Sequence, residues 1–174
     1  MSIDVRTQDG ITEVLLNHPP VNALDSHGWF ELADKVRAIG RDPASRVVLL
    51  AAEGRGFCAG VDIKELARDG KLITQVNRGC YEAFAAIYEC EVPVISAVHG
   101  FCLGGGIGMA GASDLVLASD DATFGLPEID RGALGAATHL YRMFGMQKTR
   151  RMLYTGEPIS AQEALRLGGV ESVV

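Results

Sequence analysis

Apolar and polar positions along this chain change period several times, and each change marks an element. Residues 3–7 and 12–16 are short β-rich runs on either side of Gln8-Asp-Gly10, and Asp9-Gly10 between them predicts a hairpin. His18-Pro-Pro-Val-Asn-Ala-Leu24 is expected to be a rigid, extended loop. Proline fixes φ and biases its predecessor away from helix. Ser26 is a candidate cap for the next helix, whose apolar residues at 29, 32, 33, 36 and 39 have helical spacing. Asp42-Pro43 should stop it. Residues 46–52 form a continuous apolar run, as expected of a strand covered on both faces. Apolar positions at 73, 76, 80, 84, 87 and 88 predict a helix over 73–90. Strands are expected at 94–98 and 114–119, and helices at 134–144 and 147–154, separated by Gly145. Ser160-Ala-Gln-Glu163 fits the capping box, so a helix should run to about Leu167, before Gly168-Gly169 and a last strand at 170–174. Alternating strands and helices make this an α/β chain.

The pattern breaks twice at glycine. The run from Pro93 opens as a strand, turns through Gly100 and meets Gly104, Gly105 and Gly106, followed by small apolar residues. Consecutive glycines weaken any regular element, since each loses the most backbone entropy on folding. One reading is a plain turn between a buried strand and a buried helix. Another is dinucleotide binding, because Gly106-Ile-Gly-Met-Ala-Gly111 fits G-x-G-x-x-G. That fingerprint should open a helix of several turns, whereas a strand follows almost at once here. A membrane span over 92–113 is interrupted by Pro93, His99 and glycines, with Glu91 and Asp114 at its flanks. The fourth reading is an anion-binding turn of free backbone N–H groups. About 45 residues earlier the same logic occurs in Glu53-Gly-Arg-Gly-Phe-Cys-Ala-Gly-Val-Asp-Ile-Lys-Glu65. Two such turns aimed at one point would make an oxyanion hole.

Composition narrows the field. A chain of 174 residues is expected to form one domain, and an apolar share of 48% excludes wholesale disorder. A net charge of −6 with no basic run argues against a nucleic-acid partner. The start lacks the regions of a signal peptide. Cys58, Cys80, Cys90 and Cys102 form no C-x-x-C pair and read as reduced thiols of a cytoplasmic protein, most of them packed inside. No metal-ligand spacing is visible among the cysteines and histidines. Asp62 at a helix start reads as a dipole partner. Asp114 and His139 read as structural, and Asp130 and Arg131 as a pair or as contacts to a polar substrate group.

Five motifs occur in order: His18-Pro-Pro-Val-Asn-Ala-Leu24, Phe57-Cys-Ala-Gly-Val-Asp-Ile63, Gly100-Phe-Cys-Leu-Gly-Gly-Gly106, Phe124-Gly-Leu-Pro-Glu128 and Thr155-Gly-Glu-Pro-Ile-Ser-Ala161. In this combination the chain resembles the crotonase (enoyl-CoA hydratase/isomerase) superfamily. The resemblance implies ββα units spiralling into a core, an acyl-CoA substrate, no cofactor beyond the coenzyme A of that substrate, and homotrimers or hexamers. It implies oxyanion-hole donors at Val61 and Gly105, and Glu128 as the catalytic carboxylate. It also implies a coenzyme A and substrate contact surface from Ala59, Asp62, Ile63, Lys64, Gly104 and Arg131.

Two departures follow from the same resemblance. Family hydratases carry a second glutamate where this chain has Gly108. Adding water to a double bond wants two carboxylates on one water, so the implied chemistry shifts to enolate reactions that need one. The runs Glu53-Gly-Arg-Gly-Phe57, Ala118-Ser-Asp-Asp-Ala-Thr-Phe-Gly-Leu-Pro-Glu128 and Arg131-Gly-Ala-Leu-Gly-Ala-Ala-Thr-His-Leu140 resemble the ring-opening hydrolases of bacterial steroid breakdown. That implies hydrolytic C–C cleavage of a cyclic β-keto acyl-CoA. The alternatives are an enoyl-CoA hydratase or isomerase, and a non-catalytic acyl-CoA-binding subunit. Family chains also continue into C-terminal helices, whereas this sequence stops at Val174. The expectation is therefore a single spiral domain over 1–174 that lacks that helical segment.

Overall fold

The computed structural model describes residues 2–131 and 135–174, without the side chain of Arg131. Strands β1 (Ser2–Gln8) and β2 (Ile11–Asn17) pair antiparallel through the expected hairpin. Asp9 and Gly10 both take positive φ, 53° and 84°, as a two-residue turn matched to strand twist requires. In β2 the inward set is Thr12, Val14 and Leu16, all fully buried. β3 (Val47–Ala52) lies parallel to β2, β4 (Val94–Val98) to β3, β6 (Leu115–Ala118) to β4 and β9 (Ser172–Val173) to β6. The large sheet therefore runs β1-β2-β3-β4-β6-β9.

A second layer grows beside it. β5 (Phe101–Leu103) pairs with β7 (Thr123–Gly125), and β7 with β8 (Ile159–Ser160). Single bridges Leu24–Val61 and Cys58–Cys102 extend the layer back along the chain. Each turn of the chain thus contributes a long strand, a short strand or bridge, and then a helix. This is the expected spiral of ββα units. β5, β7 and β8 are new relative to the hydrophobic pattern. At three, three and two residues they are too short to show alternation.

Helix α1 (Ser26–Gly40) buries Trp29, Leu32, Ala33, Val36 and Ile39, the stripe its spacing predicts. Its cap is Asp25 and not Ser26: Asp25 Oδ1 accepts from Gly28 N at 2.7 Å. Ser26 is already helical and spends its N–H and Oγ on the Glu65 carboxylate, at 2.8 and 2.7 Å. Helix α2 (Ile63–Arg68) and a 3₁₀ turn (Gly70–Leu72) lead into α3 (Ile73–Tyr88). The buried set of α3 is Val76, Gly79, Ala83, Ala86 and Ile87. The apolar stripe expected from 73, 76, 80, 84, 87 and 88 therefore mixes two faces. A Cβ on Gly79 would stand 2.8 Å from Trp29 Cβ, so glycine lets α3 settle directly on α1.

Helix α4 (Gly105–Ala110) has six residues, too few for the dinucleotide fingerprint. A 3₁₀ turn (Pro127–Arg131) follows β7, and α5 (Ala137–Thr155) bends at Gly145, where φ is 71° and ψ 172°. The helices expected at 134–144 and 147–154 are these two limbs, with residue 134 outside the described residues. Helix α6 (Ala161–Arg166) is capped by Ser160 Oγ accepting from Glu163 N at 3.2 Å. Only half of the capping box forms. The Glu163 carboxylate turns to Lys148 (3.0 Å) and Arg166 (2.7 Å), tying α5 to α6. Asp114 is satisfied as expected, its Oδ2 accepting from Val94 N at 2.7 Å. All four cysteines are free thiols: Cys58 and Cys102 are buried, Cys80 and Cys90 partly so.

Candidate active site

Three loops converge on one cavity, and each is held by a specific polar contact. Asn22 locks the first loop to the second. Its Nδ2 donates to Glu53 O (2.7 Å) and Gly56 O (2.9 Å), and its Oδ1 accepts from His18 N (2.8 Å). The second loop continues through Gly60, at φ 92°, a conformation open to glycine. It then bridges to the first: Leu24 N donates to Gly60 O and Asp62 N to Leu24 O, both at 2.9 Å. This alternation turns the Val61 N–H away from Leu24. Among the described residues it has no acceptor. The third loop follows β5. Gly104, at φ 56° and ψ −116°, reverses the chain into α4, and the Gly105 N–H at its first turn also lacks an acceptor among the described residues. The two turns touch: a Cβ on Gly60 would lie 2.8 Å from Gly105 N.

Each of the three glycines faces a different neighbour. A Cβ on Gly104 would meet Glu128 Oε1 at 3.0 Å, one on Gly105 would meet Trp29 Cη2 at 2.5 Å, and one on Gly106 would meet Cys58 O at 2.6 Å. Trp29 is in turn anchored by Nε1 donating to Leu24 O at 3.1 Å. One buried indole therefore sets the height of both turns.

Both turns line a cavity of about 850 Å³. Ala59, Val61, Asp62, Ile63, Lys64, Gly104, Gly105 and Glu128 all line it, so these sequence candidates are brought together. Asp62 is largely spent on capping α2: its Oδ1 accepts from Lys64 N (2.8 Å) and more weakly from Glu65 N (3.4 Å). Arg131 ends the 3₁₀ turn that carries Glu128. Its side chain, its expected pairing with Asp130, and residues 132–134 of the sequence match lie outside the described residues.

Glu128 is the cavity's unusual acid. Its Oε2 is buried and has no hydrogen-bond partner among the described residues. Gly104 and Gly135 pack against its other oxygen, and a Cβ on either would crowd it. Burial pushes the Glu128 carboxyl above the usual carboxylate range, with only a backbone hydrogen bond opposing. A carboxylate so placed is a stronger base than an exposed one and exchanges protons nearer neutrality.

Opposite chemistry governs the wall between α3 and α4. Gly108 sits in α4, and a side chain there would run into the Phe84 ring. Phe84 packs edge-on against Trp29 (centroids 5.6 Å, 80°) and against His139 (4.9 Å, 62°). Both Phe84 and His139 line the cavity. Burial, and secondarily the charge of Arg142, hold His139 down at about 4, so its imidazole is neutral at pH 7. Sequence reasoning missed both residues. Phe84 was legible only as one apolar position on a helix, and His139 only as a structural histidine. Burial also keeps the Cys58 thiol up at about 12, together with that of Cys80, which lines the cavity. Among the described residues no three His, Cys, Asp or Glu side chains cluster to hold a metal, and no helix is long and apolar enough to cross a membrane.

A spiral of ββα units with two free N–H groups and a desolvated glutamate on one cavity defines a class. The chain belongs to the enoyl-CoA hydratase/isomerase family, whose model matches residues 6–174. It is 58% identical over 168 residues to the (7aS)-7a-methyl-1,5-dioxo-2,3,5,6,7,7a-hexahydro-1H-indene-carboxyl-CoA hydrolase of Rhodococcus jostii RHA1, covering 95% of this chain and 65% of that protein. It is 53% identical over 169 residues to the protein of the same name from Mycobacterium tuberculosis, covering 96% of this chain and 68% of the relative. The chain thus spans about two thirds of these relatives' length. Among solved structures, an enoyl-CoA hydratase of Mycobacterium smegmatis superposes with a TM-score of 0.94 at 31% identity, over 99% of this chain and 69% of that one.

Proposed function

We propose that the chain is a hydrolase, as the two relatives are named, and that its chemistry is hydrolytic C–C cleavage of a cyclic β-keto acyl-CoA. The observation that carries this reading is the asymmetry of the cavity, one desolvated glutamate on one wall and a phenyl ring over Gly108 on the other. A single carboxylate suits attack of water on a ketone. It does not suit a reaction needing two acids on one water.

In this reading the thioester carbonyl oxygen sits between the Val61 and Gly105 N–H groups. Glu128 takes a proton from water, and the hydroxide adds to the ring ketone carbon. The bond between that carbon and the α-carbon then breaks. Its electron pair becomes the thioester enolate, whose oxygen the two N–H groups stabilise. The α-carbon takes the proton back from Glu128, and the ketone carbon leaves as a carboxylic acid. One water is consumed, its OH on the new acid and its H on the α-carbon. Loss of one such N–H donor costs about 2.7–4 kcal/mol of barrier in comparable sites.

The same proposal gives Ala59, Ile63, Lys64 and Gly104 to the coenzyme A and acyl contacts, Asp62 to fixing that loop, and Arg131 to a polar group of the acyl part. It needs no cofactor beyond the coenzyme A of the substrate. It has the protein acting in the cytoplasm as a homotrimer or a pair of trimers, and exposed Tyr141, Met146 and Tyr154 on α5 offer apolar surface for such assembly. Cleavage of the hexahydroindene-carboxyl-CoA thioester in water labelled with heavy oxygen tests the chemistry. The label is expected in the newly formed carboxylate. An unlabelled product, or hydration without ring opening, would refute the reading.

A further inference from the structure

The wall made by Phe84 and Gly108 does more than omit a carboxylate. A Cβ at 108 would overlap three atoms of the Phe84 ring, so ring and glycine are reciprocal: neither neighbour tolerates a larger partner without moving the other. The ring is held on both edges, by Trp29 at 5.6 Å and by His139 at 4.9 Å. Trp29 is fully buried and also lies under Gly105, so the ring cannot retreat toward α1 without disturbing the turn that presents the Gly105 N–H. The remaining face of Phe84 belongs to the cavity. His139 beside it is uncharged at neutral pH, so this wall places no charge next to the acyl group.

We propose that Phe84, interlocked with Gly108, is the specificity-determining residue of the acyl end. The ring forms a rigid apolar seat that favours a compact, ring-shaped acyl group over a flexible straight chain. A rigid wall gains most from a rigid guest, because a flexible chain must lose rotamer freedom to lie against it. The same ring denies position 108 to a carboxylate, and so keeps Glu128 as the acid free to work on water. Asp62, the other acid of the described lining, is tied to the start of α2. This inference rests on the acyl-CoA reading above and adds the residue that chooses among acyl groups.

Two measurements test it. The first is a thermal-unfolding cycle of Gly108→Ala, Phe84→Ala and the double variant, which reads the interlock without any ligand. Gly108→Ala alone should lower Tm by several degrees. The double variant should unfold above Gly108→Ala, because removing the ring opens the space. A double variant that loses the sum of the two single effects would overturn the interlock.

The second measurement is calorimetric binding of the hexahydroindene-carboxyl-CoA thioester and of hexanoyl-CoA, in a Glu128→Gln background so that neither is consumed. Phe84→Leu should weaken the ring thioester on the order of tenfold, as loss of apolar contact in a pocket does. It should change hexanoyl-CoA binding by less than about a third of that factor. Equal losses for both thioesters would make Phe84 a packing residue and overturn the specificity role. If neither thioester bound before Phe84 was changed, the acyl-CoA reading itself would fall, an outcome distinct from equal losses.

Discussion

Where the Pro127–Arg131 turn meets Gly104, the cavity wall holds a carboxylate; where α3 meets α4, it holds a phenyl ring. Both walls are partly buried and both depend on a glycine for their fit. They differ in what burial does. On the first wall it leaves a polar oxygen without a partner and lifts the Glu128 carboxyl out of its usual range. Such an arrangement is unfavourable for folding alone, which supports the catalytic role proposed for Glu128. On the second wall burial is ordinary apolar packing: Phe84 fills the volume Gly108 leaves. Together they teach that a missing side chain in a motif is read best from what occupies its space.

The comparison breaks most readily at Glu128. Glu128→Gln keeps the shape of the first wall and removes its base. Ring cleavage should fall by about a hundredfold to ten-thousandfold in kcat, the range for loss of a general base, with KM little changed. Retention of native kcat would remove Glu128 from the mechanism.

A smaller loss is expected from the turn that both walls share. Gly105→Ala brings a Cβ within 2.5 Å of Trp29 Cη2, so the turn must shift and carry its N–H with it. Steady-state kinetics should show kcat lower by about a hundredfold to a thousandfold, as for loss of one oxyanion donor. Unfolding should show a stability cost of about 1–3 kcal/mol from overpacking.

The pH dependence sharpens the contrast further. The proposed mechanism needs Glu128 as the carboxylate, whereas burial favours the neutral acid. The acid limb of kcat/KM should therefore lie above the usual glutamate value, about 4.3, and should vanish with Glu128→Gln. On the other wall, His139 titrates near 6.5 when unfolded and about 4 when folded. The unfolded chain takes up that proton first, so stability should fall as pH drops from about 6.5 and level off below about 4. His139→Gln should flatten this part of a Tm-against-pH curve, the smallest of the effects predicted here.

Much of this was legible in the sequence because it is local. Asp9-Gly10 between β-rich runs has one economical outcome, a hairpin, and the stripe from Trp29 to Ile39 has one buried face. Two glycine turns after two strands, and an acid after a proline, pointed to groups that the fold brings to one cavity. What escaped was contact at long range. The periodicity of α3 cannot tell a face turned to the core from one turned to a cavity, so Ile87 and Phe84 looked alike although one is buried in the core and the other lines the cavity beside Gly108. Ser26 looked like a cap because it precedes the helix, but a carboxylate 39 residues later in the chain claims its N–H and hydroxyl.

The most direct test of a cavity with one working carboxylate is a pair of rates on the unaltered protein, cleavage of the hexahydroindene-carboxyl-CoA thioester and hydration of crotonyl-CoA, measured side by side. Ring cleavage that proceeds while hydration stays at the uncatalysed rate is the predicted result. Hydration as fast as cleavage, or hydration alone, would contradict the account, because it would mean that Glu128 needs no second acid or that another group supplies one.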